Sequence, residues 1–388
     1  MHESGFSDDK FDEARSFDNR IYADVAFMGN MQPDTETGDG NGKSTAKNGR
    51  FPWSNPDLLQ RQINSRQQGI GRQRYPIVSW ILAVGVLAAF IAELILSKQK
   101  TGQAVQTKPH LQPMIGPPPE FLISFGARFV PCMRKIPGLS VNNELPCLEY
   151  TTSDSQFFKP SQLCSLAEIC GLKDPQNPNQ AYRFFIHSGF IHILFNLIVL
   201  LTLCCQIEKL IGSLAYLIVF FAGGIGGNLL GGNFGLIGQP AVGASGSIYA
   251  CISLEIVDLM YNAKYEANAK TRAIVSIVFA IIGLGLGLLP GIDNFSHIGG
   301  FCLGILGGLF FAPSIHATRK HMIITWVLRL LALALLIAYF VSLPLNFYQS
   351  DDPTNTCHWC RYLSCLPVFE SCNGFGIVTT TPDGQSST

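Results

Sequence analysis

The chain has 388 residues, of which 47% are hydrophobic and only 14% are charged. Soluble domains usually contain about a quarter of charged residues, so this composition argues against a soluble protein. The formal net charge is zero, which argues against a strongly basic surface for nucleic acid.

Residues 1–74 form a polar N-terminal region that is rich in Gly, Asn, Asp, Ser and Lys. Such a composition cannot bury enough apolar area to offset the entropy of ordering, so it predicts disorder. The acidic start lacks an apolar stretch, which argues against a cleavable signal peptide and a mitochondrial transit peptide. We therefore expect the first apolar segment to act as an uncleaved signal anchor.

Seven apolar segments follow, each about as long as a helix that crosses a bilayer. In chain order they cover about 77–97, 187–206, 213–232, 241–262, 273–290, 296–312 and 323–346. The fifth and sixth are so close together that they should form a tight hairpin. The sequence predicts an all-α, multi-pass membrane protein with a helical bundle and one extra C-terminal transmembrane helix.

Basic residues indicate the orientation of these segments. Four arginines precede the first segment, which places the N-terminus in the cytoplasm by the positive-inside rule. Alternation then puts the other basic connections on the same side, with Lys209, Lys264, Lys270, Arg272, Arg319 and Lys320. The loop 98–186 and the tail 347–388 are expected on the exoplasmic side.

The loop and the tail each carry four cysteines: Cys132, Cys147, Cys164 and Cys170, then Cys357, Cys360, Cys365 and Cys372. Exoplasmic compartments are oxidising, so we expect disulfides within each segment, with connectivity that spacing cannot decide. A zinc knuckle starting at Cys357 is the alternative, although no second paired ligand set follows at the usual spacing. One hypothesis for the tail is a cap over an active site.

Polar side chains stand at the exoplasmic starts of three apolar segments, where ionisable groups are costly and by default indicate function. They are His187, His192 and Asn196 on the second segment, Ser245 on the fourth and His297 on the sixth. We predict Ser245 as a nucleophile and His297 as its general base. His192 and Asn196 share one helical face and, with the Ser245 backbone N–H, would stabilise an oxyanion.

Other interpretations of these residues remain open. Asp293, four residues before His297, is a possible third triad member, but we expect it to be solvated in a loop and prefer a dyad. His187 fits a helix cap as well as a site residue. Ser245 among glycines also fits a small packing residue. No His-Glu-x-x-His motif is present, so we expect no metal and no cofactor.

The three motifs together resemble those of the rhomboid intramembrane serine proteases over about 183–312. His187-x4-His192-x3-Asn196 looks like the family's second-helix signature, and Gly243-Ala244-Ser245-Gly246 looks like its nucleophile motif. Asp293 to Gly300 resembles the sixth-helix signature. The resemblance implies a catalytic core at 187–312 and places Tyr249, an auxiliary residue, beside the histidine. It also implies cleavage of single-pass membrane proteins within the bilayer, near the exoplasmic end of their transmembrane segments.

A serine on the fourth segment and an extra C-terminal helix are similar to the eukaryotic secretase-type rhomboids. Gly126-Ala127-Arg128-Phe129 in the first loop also resembles this subtype, which implies the secretory pathway: Golgi, endosome or plasma membrane. Three features depart from the family, one of which is a stretch between Arg183 and His187 that is several residues shorter than usual. Tyr182-Arg183 replaces Trp-Arg, and 212–215 lacks the arginine that tends to follow Glu208.

The alternative function is a catalytically silent rhomboid-like protein that binds membrane clients and controls their trafficking or degradation.

Overall fold

The computed structural model describes residues 52–108, 111–136, 144–146, 163–170, 185–238, 240–288, 292–350, 353, 357, 359–363, 379–380 and 386–387. In this part of the chain the α-helices are α1 (Pro56–Gln67), α2 (Ile77–Thr101), α3 (Pro119–Phe125), α4 (Val130–Met133), α5 (Leu166–Ile169), α6 (Phe190–Ile211), α7 (Ser213–Phe234), α8 (Ser245–Asn262), α9 (Ala269–Leu286), α10 (Asn294–Phe311) and α11 (Arg319–Gln349). Helix α6 contains a π-helical turn at Leu200–Cys204. Short 3-10 turns lie at Pro52–Ser54, Ala263–Tyr265 and Cys360–Leu363.

Two small antiparallel sheets complete the described secondary structure. Strand β1 (Glu144–Pro146) pairs with β2 (Leu163–Ser165), and β3 (Thr379–Thr380) pairs with β4 (Ser386–Ser387). In the first sheet Leu145 lies opposite Cys164. These hairpins belong to the loop and the tail, and the bundle itself is helical.

Six described helices are long and apolar enough to cross a membrane: α2, α6, α7, α9, α10 and α11. Helix α8, at the fourth predicted segment, is less apolar because it carries Glu255 and Asp258 among several serines. It is also enclosed, since most of its side chains are buried and it packs against both α7 and α10. The prediction of an all-α membrane protein is confirmed, and the chain is a multi-pass membrane protein.

Glycines allow α7, α8 and α10 to approach to backbone contact. A Cβ atom on Gly300 would overlap the carbonyl oxygen of Gly246, and one on Gly304 would overlap the Ala250 backbone. On α7, a Cβ on Gly223 would overlap the Ala250 side chain. Small residues are what permits close helix packing in a bilayer, where no hydrophobic force draws helices together. These three helices therefore form the rigid centre of the bundle.

The C-terminal helix α11 is held on the outside of α7. The Tyr339 hydroxyl donates to the Gly226 carbonyl at 2.8 Å, and Asn346 Nδ2 donates to Asn233 Oδ1 at 2.8 Å. Nearly all other side chains of α11 are exposed or partly exposed. The extra helix thus packs on the bundle through a narrow polar and apolar stripe.

At the end opposite Ser245, part of the N-terminal region is ordered. Residues 56–67 were expected to be disordered, but they form α1, which begins at an Asn55 side-chain cap. Its Arg66 forms ion pairs with Asp258 of α8 and with Glu266, the latter at 2.7 Å. One buried and one partly buried carboxylate compensate the charge of Arg66, and composition alone does not indicate such distant partners. Residues 1–51 lie outside the described part of the chain.

Glu208, near the end of α6, fixes the start of α2. Its carboxylate accepts the backbone N–H groups of Val78 and Ser79, at 3.0 and 2.7 Å, and the Gln73 amide at 2.9 Å. The neighbouring Arg72 donates to the Ile211 carbonyl at 3.1 Å. The residues 212–215 that follow Glu208 include no arginine. The segment before α2 supplies polar partners to this region instead.

The loop and the tail each contain a disulfide within the segment, as the cysteine count predicted. Cys132 is bonded to Cys170 and Cys357 to Cys360, and Cys164 is also disulfide-bonded. The Cys132–Cys170 bond lies within a small apolar cluster that includes Phe129 and Leu166. The expectation of disulfides is confirmed for these cysteines, and at Cys357 the disulfide stands in place of the zinc knuckle. Cys147, Cys365 and Cys372 lie outside the described residues.

The glycine contacts yield a stability prediction. We expect Gly300→Ala to lower the thermal midpoint of the detergent-solubilised protein, because the added methyl group meets the Gly246 carbonyl. Overpacking of this kind typically costs about 1–3 kcal/mol. Gly285→Ala is the matched control, since a Cβ there meets nothing within 4 Å. A midpoint for Gly300→Ala equal to that of Gly285→Ala would contradict the close packing of α8 and α10.

Candidate active site

Ser245 and His297 meet at the starts of α8 and α10. The distance from His297 Nε2 to Ser245 Oγ is 3.0 Å, and the two residues are 7% and 4% exposed. At this distance the serine hydroxyl can donate a hydrogen bond to a neutral imidazole. The close approach of α8 and α10 brings together two side chains that lie 52 positions apart in the sequence. The pair that the sequence predicted is assembled.

Tyr249 holds the imidazole ring from the side. Its ring stacks on that of His297, with centroids 4.4 Å apart and planes inclined by 10°. The Tyr249 hydroxyl donates to the Ala280 carbonyl of α9 at 2.8 Å. The hydroxyl has room because Gly283 has no side chain, and a Cβ there would overlap it. Tyr249 thus lies beside the histidine, as the resemblance implied, and it ties α8 to α9.

His192 and Asn196 flank the segment that leads to Ser245. Gly243 has a φ of 111°, and a Cβ there would lie 2.9 Å from His192 Nε2 and 3.8 Å from Asn196 Nδ2. Among the described residues, neither nitrogen has a hydrogen-bond partner although both are buried. Two unpaired buried donors beside one glycine are costly unless a ligand atom accepts from them.

Ser188 is the hydrogen-bonding partner of His192 at the ring nitrogen away from Gly243. Its hydroxyl lies 2.8 Å from His192 Nδ1. When Ser188 donates to Nδ1, the proton of the neutral ring is on Nε2, where it points toward Gly243 as a free donor. Ser188 was not among the residues predicted from the sequence, although its position four residues before His192 is a usable signal.

Ser245 and His297 lie at the wall of an open, mostly apolar cleft. Its walls come from α6, α8 and α9, including Phe195 of α6 and Ile282 of α9, and Met114 of the first loop lines it as well. Phe195 and Ile282 are 40% and 46% exposed, so the cleft reaches the outer surface of the bundle between these helices. Helix α9 buries only Ser276 and Ala280 in the bundle. The cleft is therefore open toward the surface that faces lipid.

His187 lies behind the site. It precedes α6, which begins at Phe190 and not at residue 187 as the sequence suggested. Its backbone N–H donates to the buried Glu93 carboxylate at 3.2 Å, and its Nδ1 lies 2.9 Å from the Phe185 carbonyl. The ring packs 5.3 Å from that of His192. These contacts favour a supporting role at the entry of α6.

The Asp293 side chain is only 7% exposed, which corrects the expectation of a solvated loop residue. Its carboxylate accepts the Phe295 N–H at 3.1 Å and so caps α10. It also accepts the Ser296 hydroxyl at 2.7 Å and pairs with Arg128 at 2.7 Å. These partners engage the carboxylate away from His297, which favours a dyad over a triad.

The tail reaches the start of the histidine helix. Asn294 Nδ2 donates to the Leu363 carbonyl at 2.9 Å, in the turn next to the Cys357–Cys360 disulfide. Asn294 lies three residues before His297, so this part of the tail is close to the site. Tyr182 and Arg183, which depart from the family motif, lie outside the described residues.

A serine–histidine pair buried in a multi-pass helical bundle is the arrangement typical of intramembrane serine hydrolases. A family profile described as the Rhomboid domain matches residues 179–314. Rhomboid-type serine protease 2 of Emericella nidulans is 32% identical over 390 residues, covering 82% of this chain and 76% of that protein. The chain therefore belongs to the rhomboid family.

More distant relatives carry two kinds of name. RHOMBOID-like protein 4 of Arabidopsis thaliana is 30% identical over 205 residues, or 49% of this chain and 51% of that protein. Inactive rhomboid protein 1 of Danio rerio is 32% identical over 225 residues, or 54% of this chain and 25% of that protein. The family thus includes serine proteases and inactive members. The geometry of the serine and histidine is the evidence on whether this chain is active.

The geometry predicts a reactive serine. We expect a fluorophosphonate probe to label the purified protein, because a serine hydroxyl that is hydrogen-bonded to a histidine base is an activated nucleophile. Ser245→Ala and His297→Ala should abolish the labelling seen by in-gel fluorescence. Ser253→Ala is the matched control, a buried serine of the same helix whose hydroxyl donates to the Ala250 carbonyl. Equal labelling of wild type and Ser245→Ala would contradict this assignment.

Proposed function

We propose that the protein is an intramembrane serine endopeptidase that uses Ser245 and His297 as a catalytic dyad. The observation that carries this proposal is the 3.0 Å contact between His297 Nε2 and Ser245 Oγ. The unpaired donors on His192 and Asn196 support it, because peptide hydrolysis by a serine needs an oxyanion site. A serine kept only for packing needs none of these partners.

The chemistry follows from the positions of these atoms. Ser245 Oγ attacks the scissile carbonyl while His297 Nε2 takes its proton. The carbonyl oxygen becomes an oxyanion, which accepts hydrogen bonds from His192 Nε2, Asn196 Nδ2 and the Ser245 backbone N–H. The first N–H groups of a helix have no partner within it, so the start of α8 supplies a free donor. His297 then gives the proton to the leaving amine, and water hydrolyses the acyl-enzyme by the same route.

The cleft indicates what kind of substrate enters. Its apolar walls and its position between α6 and α9 suit a transmembrane segment that approaches from the lipid. We propose single-pass membrane proteins as substrates, cleaved near the exoplasmic end of the span. A helix hides its carbonyl groups in hydrogen bonds, so segments that unwind easily because they contain Gly and Ser are favoured.

We place the site on the exoplasmic side and the N-terminus in the cytoplasm, in a membrane of the secretory pathway. Basic residues near the opposite end of the bundle support this orientation by the positive-inside rule. The disulfides near the site support an oxidising compartment. A tag at residue 1 that is accessible only after permeabilisation agrees with this topology, and an extracellular tag contradicts it.

The alternative is a catalytically silent protein that binds membrane clients and controls their trafficking or degradation. One relative is named Inactive rhomboid protein 1, so silent members of the family exist. A silent member has no need for a serine within hydrogen-bond distance of a histidine, or for a stacked Tyr249 that orients the ring. The assembled dyad favours the protease.

Cleavage in cells tests the proposed function. We expect co-expression with a single-pass substrate, whose span is rich in Gly, Ala and Ser near its exoplasmic end, to release a product seen by immunoblot. The product should be absent with Ser245→Ala, since no other group replaces the nucleophile, and unchanged with Ser253→Ala. No product from any of a panel of such substrates, or equal product from Ser245→Ala, would favour the silent relative.

The proposed oxyanion donors have a kinetic signature. Asn196→Ala or His192→Ala should lower kcat by about 10²–10³-fold with little change in KM, because the bonds form only in the transition state. Thr202→Ala is the matched control on α6, where the Thr202 hydroxyl donates to the Ile198 carbonyl on the exposed side. A rise in KM with kcat unchanged would instead make these residues part of substrate binding.

A further inference from the structure

We infer that Arg128, in the first loop, is a positioning residue for the dyad. It joins the segment that precedes Ser245 to the segment that precedes His297, and so keeps the two side chains within hydrogen-bond distance. This inference rests on the proposed function, since it concerns the same dyad. Arg128 belongs to the loop between α3 and α4 and is 4% exposed. It touches neither Ser245 nor His297 in any contact of the described residues, so its influence passes through its neighbours.

The backbone of Arg128 holds the segment that leads to the serine. Its N–H donates to the Ala241 carbonyl at 2.9 Å, and its carbonyl accepts the Ala241 N–H at 2.8 Å. Ala241 is two residues before Gly243, whose backbone lies against His192, and four before Ser245. A two-bond bridge at Ala241 therefore limits how far the Ser245 backbone N–H can move relative to the proposed oxyanion donors.

The side chain of Arg128 holds the start of the histidine helix. One guanidinium nitrogen pairs with Asp293 Oδ2 at 2.7 Å, and the other donates to the Asn228 carbonyl of α7 at 3.1 Å. Asp293 caps α10 and is four residues, about one helical turn, before His297. The Ser296 hydroxyl, next to His297, donates to the same Asp293 oxygen. Arg128 thus anchors the turn that carries the imidazole to the centre of the bundle.

A glycine on α7 leaves room for this ion pair in the bundle. A Cβ on Gly231 of α7 would overlap the Asp293 carboxylate and crowd the Arg128 guanidinium, so the glycine leaves the pocket that both groups fill. Both side chains are less than 10% exposed. Buried ion pairs often contribute little net stability, and their best-attested benefit is a defined geometry. This pair joins the segments that lead to the nucleophile and to its base, where a defined geometry matters.

The arrangement predicts a loss of rate more than a loss of binding. Misplacement of a catalytic group by about 1 Å can cost about 10²-fold in rate. Arg128→Gln should therefore lower kcat by about 10²-fold, with KM unchanged and with fluorophosphonate labelling of Ser245 slowed in parallel. Arg128→Lys keeps the charge but can serve only one of the two partners, so its kcat should be intermediate. Asp293→Asn should resemble Arg128→Gln, and the double variant should be no slower than either single, because the pair acts as one unit.

The experiment uses the full-length protein, purified in detergent, with a fluorogenic transmembrane-segment substrate and thermal unfolding of every variant. The matched control is Arg134→Gln, which removes another buried arginine of the same loop, one that packs over the Phe347 ring of α11. Its kcat should stay at the wild-type value. If Arg128→Gln does not fold, Arg128→Lys carries the test through a lowered kcat at an unchanged thermal midpoint.

Three outcomes count against the inference, and they are distinguishable. If wild type cleaves by way of Ser245 while Arg128→Lys and Arg128→Gln cleave equally fast, the inference fails and the proposed function stands. If the loss of kcat equals the loss of folded protein, or Arg134→Gln loses as much, Arg128 is only structural. If wild type neither cleaves nor labels at Ser245, the proposed function fails and the inference falls with it.

Discussion

The close approach of α8 and α10 is the constraint on which the rest of the site depends. Backbone contact at Gly246 and Gly300 leaves no room for side chains between the helices. Ser245 and His297, which stand next to these contacts, are therefore within hydrogen-bond distance at the same end of both helices. In a bilayer such packing depends on van der Waals contact and on small residues. The glycines around the dyad are consequently as much a part of the site as the dyad itself.

Polar groups around this centre differ in whether the protein satisfies them. Asp293, Arg128 and Asp258 have ionic or hydrogen-bonding partners within the chain, and these partners fix helix ends. His192 Nε2 and Asn196 Nδ2 have none among the described residues. Buried donors without partners are costly, so their persistence beside Gly243 is a reason to look for a transient acceptor. Other buried atoms of the described residues, such as the Tyr216 hydroxyl and Arg128 Nε, also lack partners, so it is the position of the two donors beside Gly243 that marks them as candidate chemistry.

Much of the candidate site was predictable because its residues lie in local motifs. Ser245 lies between Gly243 and Gly246 at the start of an apolar segment, and His192 and Asn196 share one helix face, so both patterns could be recognised without coordinates. The spans were also predictable from length and hydropathy, although α8 is distinguished by burial and not by apolar composition.

What could not be predicted are pairings between distant parts of the chain. Arg128 and Asp293 are 165 positions apart, and Arg66 and Asp258 are 192 apart. No spacing rule connects them, so Asp293 was expected in solvent and α1 was expected to be disordered. Cys132 and Cys170 pair within a loop whose connectivity the sequence left open. In each case the local pattern showed a reactive or charged group, and only the fold showed its partner.

Cleavage by the purified protein in liposomes tests most directly whether Ser245 and His297 act as a dyad within the membrane. Wild type and Ser245→Ala would be reconstituted at equal amounts with one single-pass substrate, and the products sequenced by mass spectrometry. We expect wild type alone to cut the substrate within its transmembrane segment, near the end that lies level with Ser245. Cleavage by Ser245→Ala at the same bond, or none by a folded wild type that also fails to react with fluorophosphonate, would contradict the proposed mechanism.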